Sequence, residues 1–283
     1  MAERTAPAGR LDPADRPVST PRMIWMLYAS RIRSQATFRT SFLADVLGQL
    51  LVVGIEFLEL WVILTRVGTL GGMTLAQVAV VYGLGALAFG LADMFFGETD
   101  SLSAAIRSGK LETLLLRPVP MLLQISSLDL SLRRIGRIGV GLVMYVAALV
   151  VADFSPRPET LLLAVIAPLA GAAIFSGLFV LAGALQFWLI DGREFANAFT
   201  YGGNYVATTP GAVFALPLRA FFTFVIPATL VAYAPTLVLL DLPGPALIPT
   251  SAGWAGAPAA VLVWIVAAVL WRAGVRRYTG AGG

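Results

Sequence analysis

The chain has 283 residues, of which 58% are hydrophobic and 13% charged, and it contains neither Cys nor His. An average soluble domain carries about 25% charged residues, so a water-soluble fold would lack polar surface, and thiolate, disulfide, imidazole–metal and Ser-His-Asp chemistry are excluded. The net charge of +4 is spread over segments that flank apolar runs rather than gathered into one patch, which argues against a nucleic-acid partner.

Residues 1–20, rich in Pro, Ala and Arg, have no apolar stretch and read as a disordered cytoplasmic tail rather than a signal peptide. Residues 21–40 alternate Met23, Ile24, Met26, Leu27, Ile32 and Phe38 with Arg22, Arg31, Arg33 and Arg39, the pattern of a helix at headgroup level. Six apolar segments follow, at about 41–64, 75–96, 128–152, 161–190, 218–240 and 254–271. Each is near the ~20 residues a bilayer core requires. The expected fold is an all-α membrane protein with one transmembrane domain over 21–277 and a flexible tail at 278–283.

The third segment is the shortest, and its inner end has to carry Arg133, Arg134 and Arg137 by snorkelling. Between the fourth and fifth segments, Phe195, Phe199, Tyr201, Tyr205 and Phe214 surround Gly202, Gly203 and Pro210. This stretch reads as an interfacial helix and a broken turn. With the N-terminus inside, all but two of the 20 basic residues, Arg66 and Arg157, fall on the cytoplasmic side, Arg193 and Arg219 being assigned to the loop before the fifth segment. Cytoplasmic loops retain Lys and Arg, so both termini are expected in the cytoplasm. Lys110 is the single lysine, and with abundant Ala and Gly this reads as high-GC coding bias and hence as a bacterial origin.

Glu56 and Glu59 stand three apart in the first segment, on one helical face, with Asp45 near its inner end. An acid or base facing lipid costs about 2.5–3.5 kcal/mol on insertion scales, so that face is expected to meet protein or water. Two readings stand: a site for a cationic or proton-coupled substrate, and a hydrated or subunit-facing packing surface. Asp93 reads as an interfacial carboxylate. The small-residue pairs Ala79/Gly83, Ala86/Gly90, Ala167/Gly171 and Ala173/Gly177 predict close helix packing.

After the second segment, Glu98, Asp100, Arg107, Lys110, Glu112 and Arg117 surround Leu111, Leu114 and Leu115, an apolar stripe at helical spacing that Pro118 and Pro120 terminate. Such a cytoplasmic helix either receives a soluble partner or rests on headgroups. A phosphate-binding loop needs Gly-x4-Gly-Lys-Ser/Thr, and Lys110 is followed by Leu111. The chain is therefore not expected to be an enzyme, to hold a cofactor or metal, or to hydrolyse ATP itself.

Two stretches carry a family likeness: Arg107-Ser-Gly-Lys-Leu-Glu-Thr-Leu-Leu-Leu-Arg-Pro-Val-Pro120, and Pro210 to Leu240 with Arg219-Ala-Phe-Phe-Thr-Phe-Val-Ile-Pro-Ala and Tyr233-Ala-Pro235. In these the sequence resembles the permease subunits of bacterial type 2 ABC transporters of unassigned substrate. The resemblance implies an exporter subunit working with two ATPase subunits, which bind ATP and Mg, and with a second permease, either a related chain or another copy. It implies that Arg107, Gly109, Lys110, Leu111, Glu112 and Leu115 form an ATPase-coupling helix. It also implies a substrate path between the first, second and fifth spans, with Glu56, Glu59, Phe221, Phe224, Pro227 and Tyr233 as lining candidates. Pro227 and Pro235 would bend the fifth span, and because the outer stretch from Asp241 to Gly253 is short, neither a sizeable extracellular domain nor a long re-entrant helical pair is expected. An ion-coupled carrier using Glu56 and Glu59, or a non-catalytic membrane scaffold, are the alternatives.

Overall fold

The computed structural model describes residues 39–116, 119–126, 133–189 and 193–278. The expected tail over 1–20, nearly all of the expected headgroup-level helix and residues 279–283 lie outside them. The helices are α1 (Arg39–Val67), α2 (Leu75–Phe96), α3 (Leu102–Arg107), α4 (Lys110–Leu115), α5 (Met121–Ser126), α6 (Arg133–Val151), α7 (Pro158–Leu185), α8 (Arg193–Ala207), α9 (Leu216–Phe224), α10 (Tyr233–Leu239) and α11 (Gly256–Arg277). Among the described residues, β pairing is limited to a bridge between Leu70 and Met73. Four helical stretches, Leu75–Arg107, Arg134–Val151, Pro158–Leu185 and Gly256–Arg277, are long and apolar enough to cross a membrane.

The second apolar segment becomes the central post. Its residues from Val78 to Gly90 are buried without a break, as expected of a helix that is apolar on every side. Lipid tails give helices no hydrophobic reason to associate, so contact area and close approach hold such a bundle together. The small residues supply that approach. A Cβ at Gly83 would stand 2.6 Å from the backbone nitrogen of Tyr145, and one at Gly141 would stand 2.8 Å from that of Leu87, so α2 and α6 touch backbone to backbone. Gly171 admits Val231 and Ala88, and Gly177 admits Val263 of α11.

The bundle has two distinct ends. At the basic end lie α3, α4 and α5, the foot of α7 and the last turns of α11. Here Thr99 Oγ1 donates to the Phe179 carbonyl at 2.9 Å, and Gln186 Oε1 accepts the Ser103 amide at 2.7 Å. At the far end lie the turns at 67–74 and 152–157, where Arg157 pairs with Asp241 at 2.9 Å. Asp93, expected at an interface, is buried and pairs with Arg134 at 3.3 Å.

The chain from 193 to 241 departs from expectation. Segment 218–240 is not one helix: α9 and α10 are separated by buried irregular chain from Ile226 to Ala232. The hairpin enters from the far end, and its tip at Ile226 comes within 3.7 Å of the Cβ position of Gly203. It then returns to Asp241 beside Arg157. Pro227 lies at the break, where its missing amide would have cost a helical hydrogen bond. The stretch 195–217, expected to lie at the interface, instead runs the length of the bundle: it leaves the basic end as α8, passes Phe175 at Gly203 and Gly85 at Ala207, and reaches Gly71 in the far turn through Ala212.

Irregular backbone of this kind needs partners for its peptide groups. Arg219 provides them. Its Nε donates to the Gly211 carbonyl at 3.0 Å and its terminal nitrogens to those of Ala212, Phe214 and Ala246 at 2.9, 3.0 and 3.3 Å. This places Arg219 at the far end, not in the inner loop assigned to it from the charge count. Across the tip, the Thr223 and Thr229 hydroxyls lie 2.9 Å apart, and Thr229 bonds the Phe222 carbonyl through both its amide and its hydroxyl.

The α2–α6 contact is directly testable. Gly83→Ala is expected to destabilise the bundle by about 1–3 kcal/mol through overpacking. Gly139→Ala, where nothing lies within 4 Å, leaves it unchanged or slightly more stable. Unfolding of the two variants in mixed detergent micelles compares them.

Candidate functional site: a polar cavity and a docking helix

Helix α8 is amphipathic in an uncommon sense. Thr200, Gly203, Val206 and Ala207 are buried on the side facing α2 and α7, while Tyr201, Asn204, Tyr205 and Thr208, at i, i+3, i+4 and i+7, line a cavity on the other. The cavity has a volume of about 600 Å³. Its remaining walls are Glu59 and Ile63 from α1, Tyr82 from α2, Arg137 from α6, and Leu70, Thr209 and Val213 toward the far end. One carboxylate and one guanidinium therefore share a space otherwise walled by phenols, hydroxyls, an amide and the aliphatic side chains of Ile63, Leu70 and Val213. The Arg137 guanidinium stands over the Phe89 ring, 5.5 Å from its centroid, a cation–π position that fixes its level.

The path residues expected from the sequence separate. Glu59 lies in this cavity, whereas the Glu56 side chain falls outside what is described. Phe224 and Pro227 line a second, apolar space of about 390 Å³ between the hairpin tip, α7 and α11. Phe221 stacks edge-on against Phe222. Tyr233 is not an exposed wall at all: it is 2% exposed, and a Cβ at Gly211 would meet its ring at 2.7 Å. Sequence reading did not assign Tyr82, Arg137, Asn204, Thr208 or Thr209 to a site. The signal that could have found them is the polar stripe on α8.

At the basic end, α4 begins after Gly109, whose φ of +67° suits a residue without Cβ. The leucine stripe divides. Leu111 and Leu114 are buried in a cluster with Val180 and Ala184 of α7 and Ala267 and Trp271 of α11. Leu115 is 48% and Leu116 86% exposed, and Arg107 and Lys110 are exposed beside them. Gln124 braces the loop, its amide nitrogen donating to the carbonyls of Leu114 at 2.9 Å and Val119 at 2.7 Å. The Tyr278 hydroxyl, following α11, donates to Glu112 Oε1 at 3.0 Å. Burial first, and then the hydrogen bond and charge of Glu112, push this phenol above its ordinary value of 10.0, so it remains a donor.

The family described as ABC-2 family transporter protein matches residues 50–282. The chain belongs to the ABC-2 transporter family. Its apolar helices make this ABC-2 chain a multi-pass membrane protein, and its family role is that of the transmembrane part of an ABC transporter, associated with ABC ATPase subunits. No curated protein and no solved structure matches it. Among the described residues no group of His, Cys, Asp and Glu is placed to hold a metal ion.

The contact of Tyr278 with Glu112 makes a measurable difference to α4. Tyr278→Phe is expected to speed amide hydrogen exchange over 110–116 by roughly tenfold, as a hydrogen bond to a charged group worth about 1.5 kcal/mol implies. Exchange in α2 is expected to stay as slow as before.

Proposed function

We propose that the chain is the permease subunit of an ATP-driven exporter in a bacterial inner membrane. A second permease, related or identical, completes the path, and two ATPase subunits bind ATP and Mg beneath it. Six crossings are made by α1, α2, α6, α7, the segment 193–213 and α11, and the hairpin of α9 and α10 dips in from outside. On this arrangement Arg66, Arg157 and Arg219 lie outside and the other basic residues inside. That asymmetry supports cytoplasmic termini. Arg219, spent on four carbonyls, weighs little against it.

The observation that carries the reading is the division of α4. Its inner leucines are seated on α7 and α11, while Leu115 and Leu116 project from a basic surface at the same end. A helix fastened from behind with apolar side chains in front is suited to receive a push from a soluble motor. The exposed face of α1, with Leu47, Leu51, Ile55, Leu58 and Val62, is the surface available to the second permease, next to the cavity that holds Glu59.

The test is on the outer leucines. Leu115→Ser with Leu116→Ser, in the complex reconstituted with its ATPase, is expected to lower ATP-driven transport at least tenfold while the chain stays inserted and the ATPase still turns over. Leu111, fully buried, would report on folding instead. Undiminished coupling removes α4 as the docking helix. Transport supported by a proton or sodium gradient without nucleotide would favour the ion-coupled carrier, for which the position of Glu59 in a polar cavity is also suited.

A further inference from the structure

The polar cavity carries its two charges at different depths. The Arg137 guanidinium lies at the level of Phe89. The Phe57 ring stacks at 6.2 Å from Tyr82, and Glu59 follows Phe57 by about half a turn toward the far end. Tyr82 and Phe89 are seven residues apart on α2, so the carboxylate and guanidinium levels differ by roughly 10 Å of helix rise. No ion pair joins Glu59 to Arg137 among the described residues. Tyr201 packs on Phe89 at the guanidinium level, and Asn204 and Tyr205 follow it by about one turn of α8 toward the carboxylate level; all three line the cavity.

An apolar substrate would leave two charges without partners in this space, and a simple cation or anion would leave one charge uncompensated. A molecule with both charges satisfies both ends. Resting on the permease reading above, we infer that the cavity takes an elongated zwitterion, cationic group at Glu59, anionic group at Arg137, with an apolar or aromatic body against the tyrosines. Extended peptide spans about 3.3–3.6 Å per residue, so a peptide-like compound of three residues has the required length. The volume of about 600 Å³ is in the range of ligand pockets, roughly 300–1,000 Å³.

The test compares three forms of one body. The tripeptide Ala-Phe-Phe with free ends, its N-acetyl form and its C-terminal amide are titrated calorimetrically into the chain with its ATPase partner in lipid nanodiscs. The free form is expected to bind at least tenfold more tightly than either blocked form. Glu59→Gln should erase the difference between free and acetylated peptide and keep that between free and amidated. Arg137→Gln should do the converse. Equal binding by the three forms, binding by none, or a variant that erases both differences or neither, overturns the assignment. The wild-type comparison decides the question even where a variant fails to fold. Continued ATP hydrolysis by the complex alongside a negative result removes the ligand and leaves the permease. A chain that never assembles with an ATPase removes the permease, and titration of the chain alone in nanodiscs still decides the ligand.

Discussion

Hydrocarbon offers nothing to a peptide group, so every amide and carbonyl within this bundle has to find its partner in the chain itself. Regular helix meets that demand unaided for α2, α6, α7 and α11. The stretch from Thr208 to Ala232 does not, and its course is set by the side chains that complete it. Arg219 reaches four carbonyls with one planar head, a geometry a flexible ammonium would not reproduce. The Thr223 and Thr229 hydroxyls close the tip. A hairpin buried to this depth exists because those three residues replace the water it cannot reach.

Close approach is the second organising condition. Gly83 and Gly141 bring α2 and α6 into backbone contact, and Gly203 lets α8 press against Phe175 while Tyr201 packs edge-on to Phe89. With its small face turned inward, α8 turns its hydroxyls, phenols and amide toward α1. The cavity is thus a product of packing: the residues that make α8 fit its neighbours on one side oblige it to be polar on the other.

Much of the architecture was legible in the chain. The helices over 39–67, 75–96, 158–185 and 256–277 lie where long apolar runs were read, and the packing of glycines at 83, 90, 171 and 177 follows from their spacing with alanine. The run at 218–240 misled because hydropathy measures the surroundings of a segment and not the direction it travels. A hairpin that turns back within the bundle and a helix that runs its length have the same apolar neighbours, and only Pro227 and an arginine near the start marked the difference. The stretch 195–217 misled in the opposite way, since a helix that lines a polar space has the composition of one lying at a surface. Tyr233, read as part of an aromatic wall, proved to be core because Gly211 leaves a hollow for its ring. The leucine stripe of α4 was visible as a stripe, but which leucines it keeps and which it presents depends on Trp271 and Val180, far away in sequence.

The seat of α4 has a mechanical corollary. The two helices beneath it, α7 and α11, are also those that grip the hairpin higher in the bundle: Gly171 receives Val231, and Gly256 lies under the Leu230 carbonyl. Two stiff struts therefore join the basic end of the molecule to its hairpin, bypassing the walls contributed by α1 and α8. On the proposed function, load applied below would be delivered above by rods rather than through the vestibule, which would leave the chamber lining free to be shaped by its cargo.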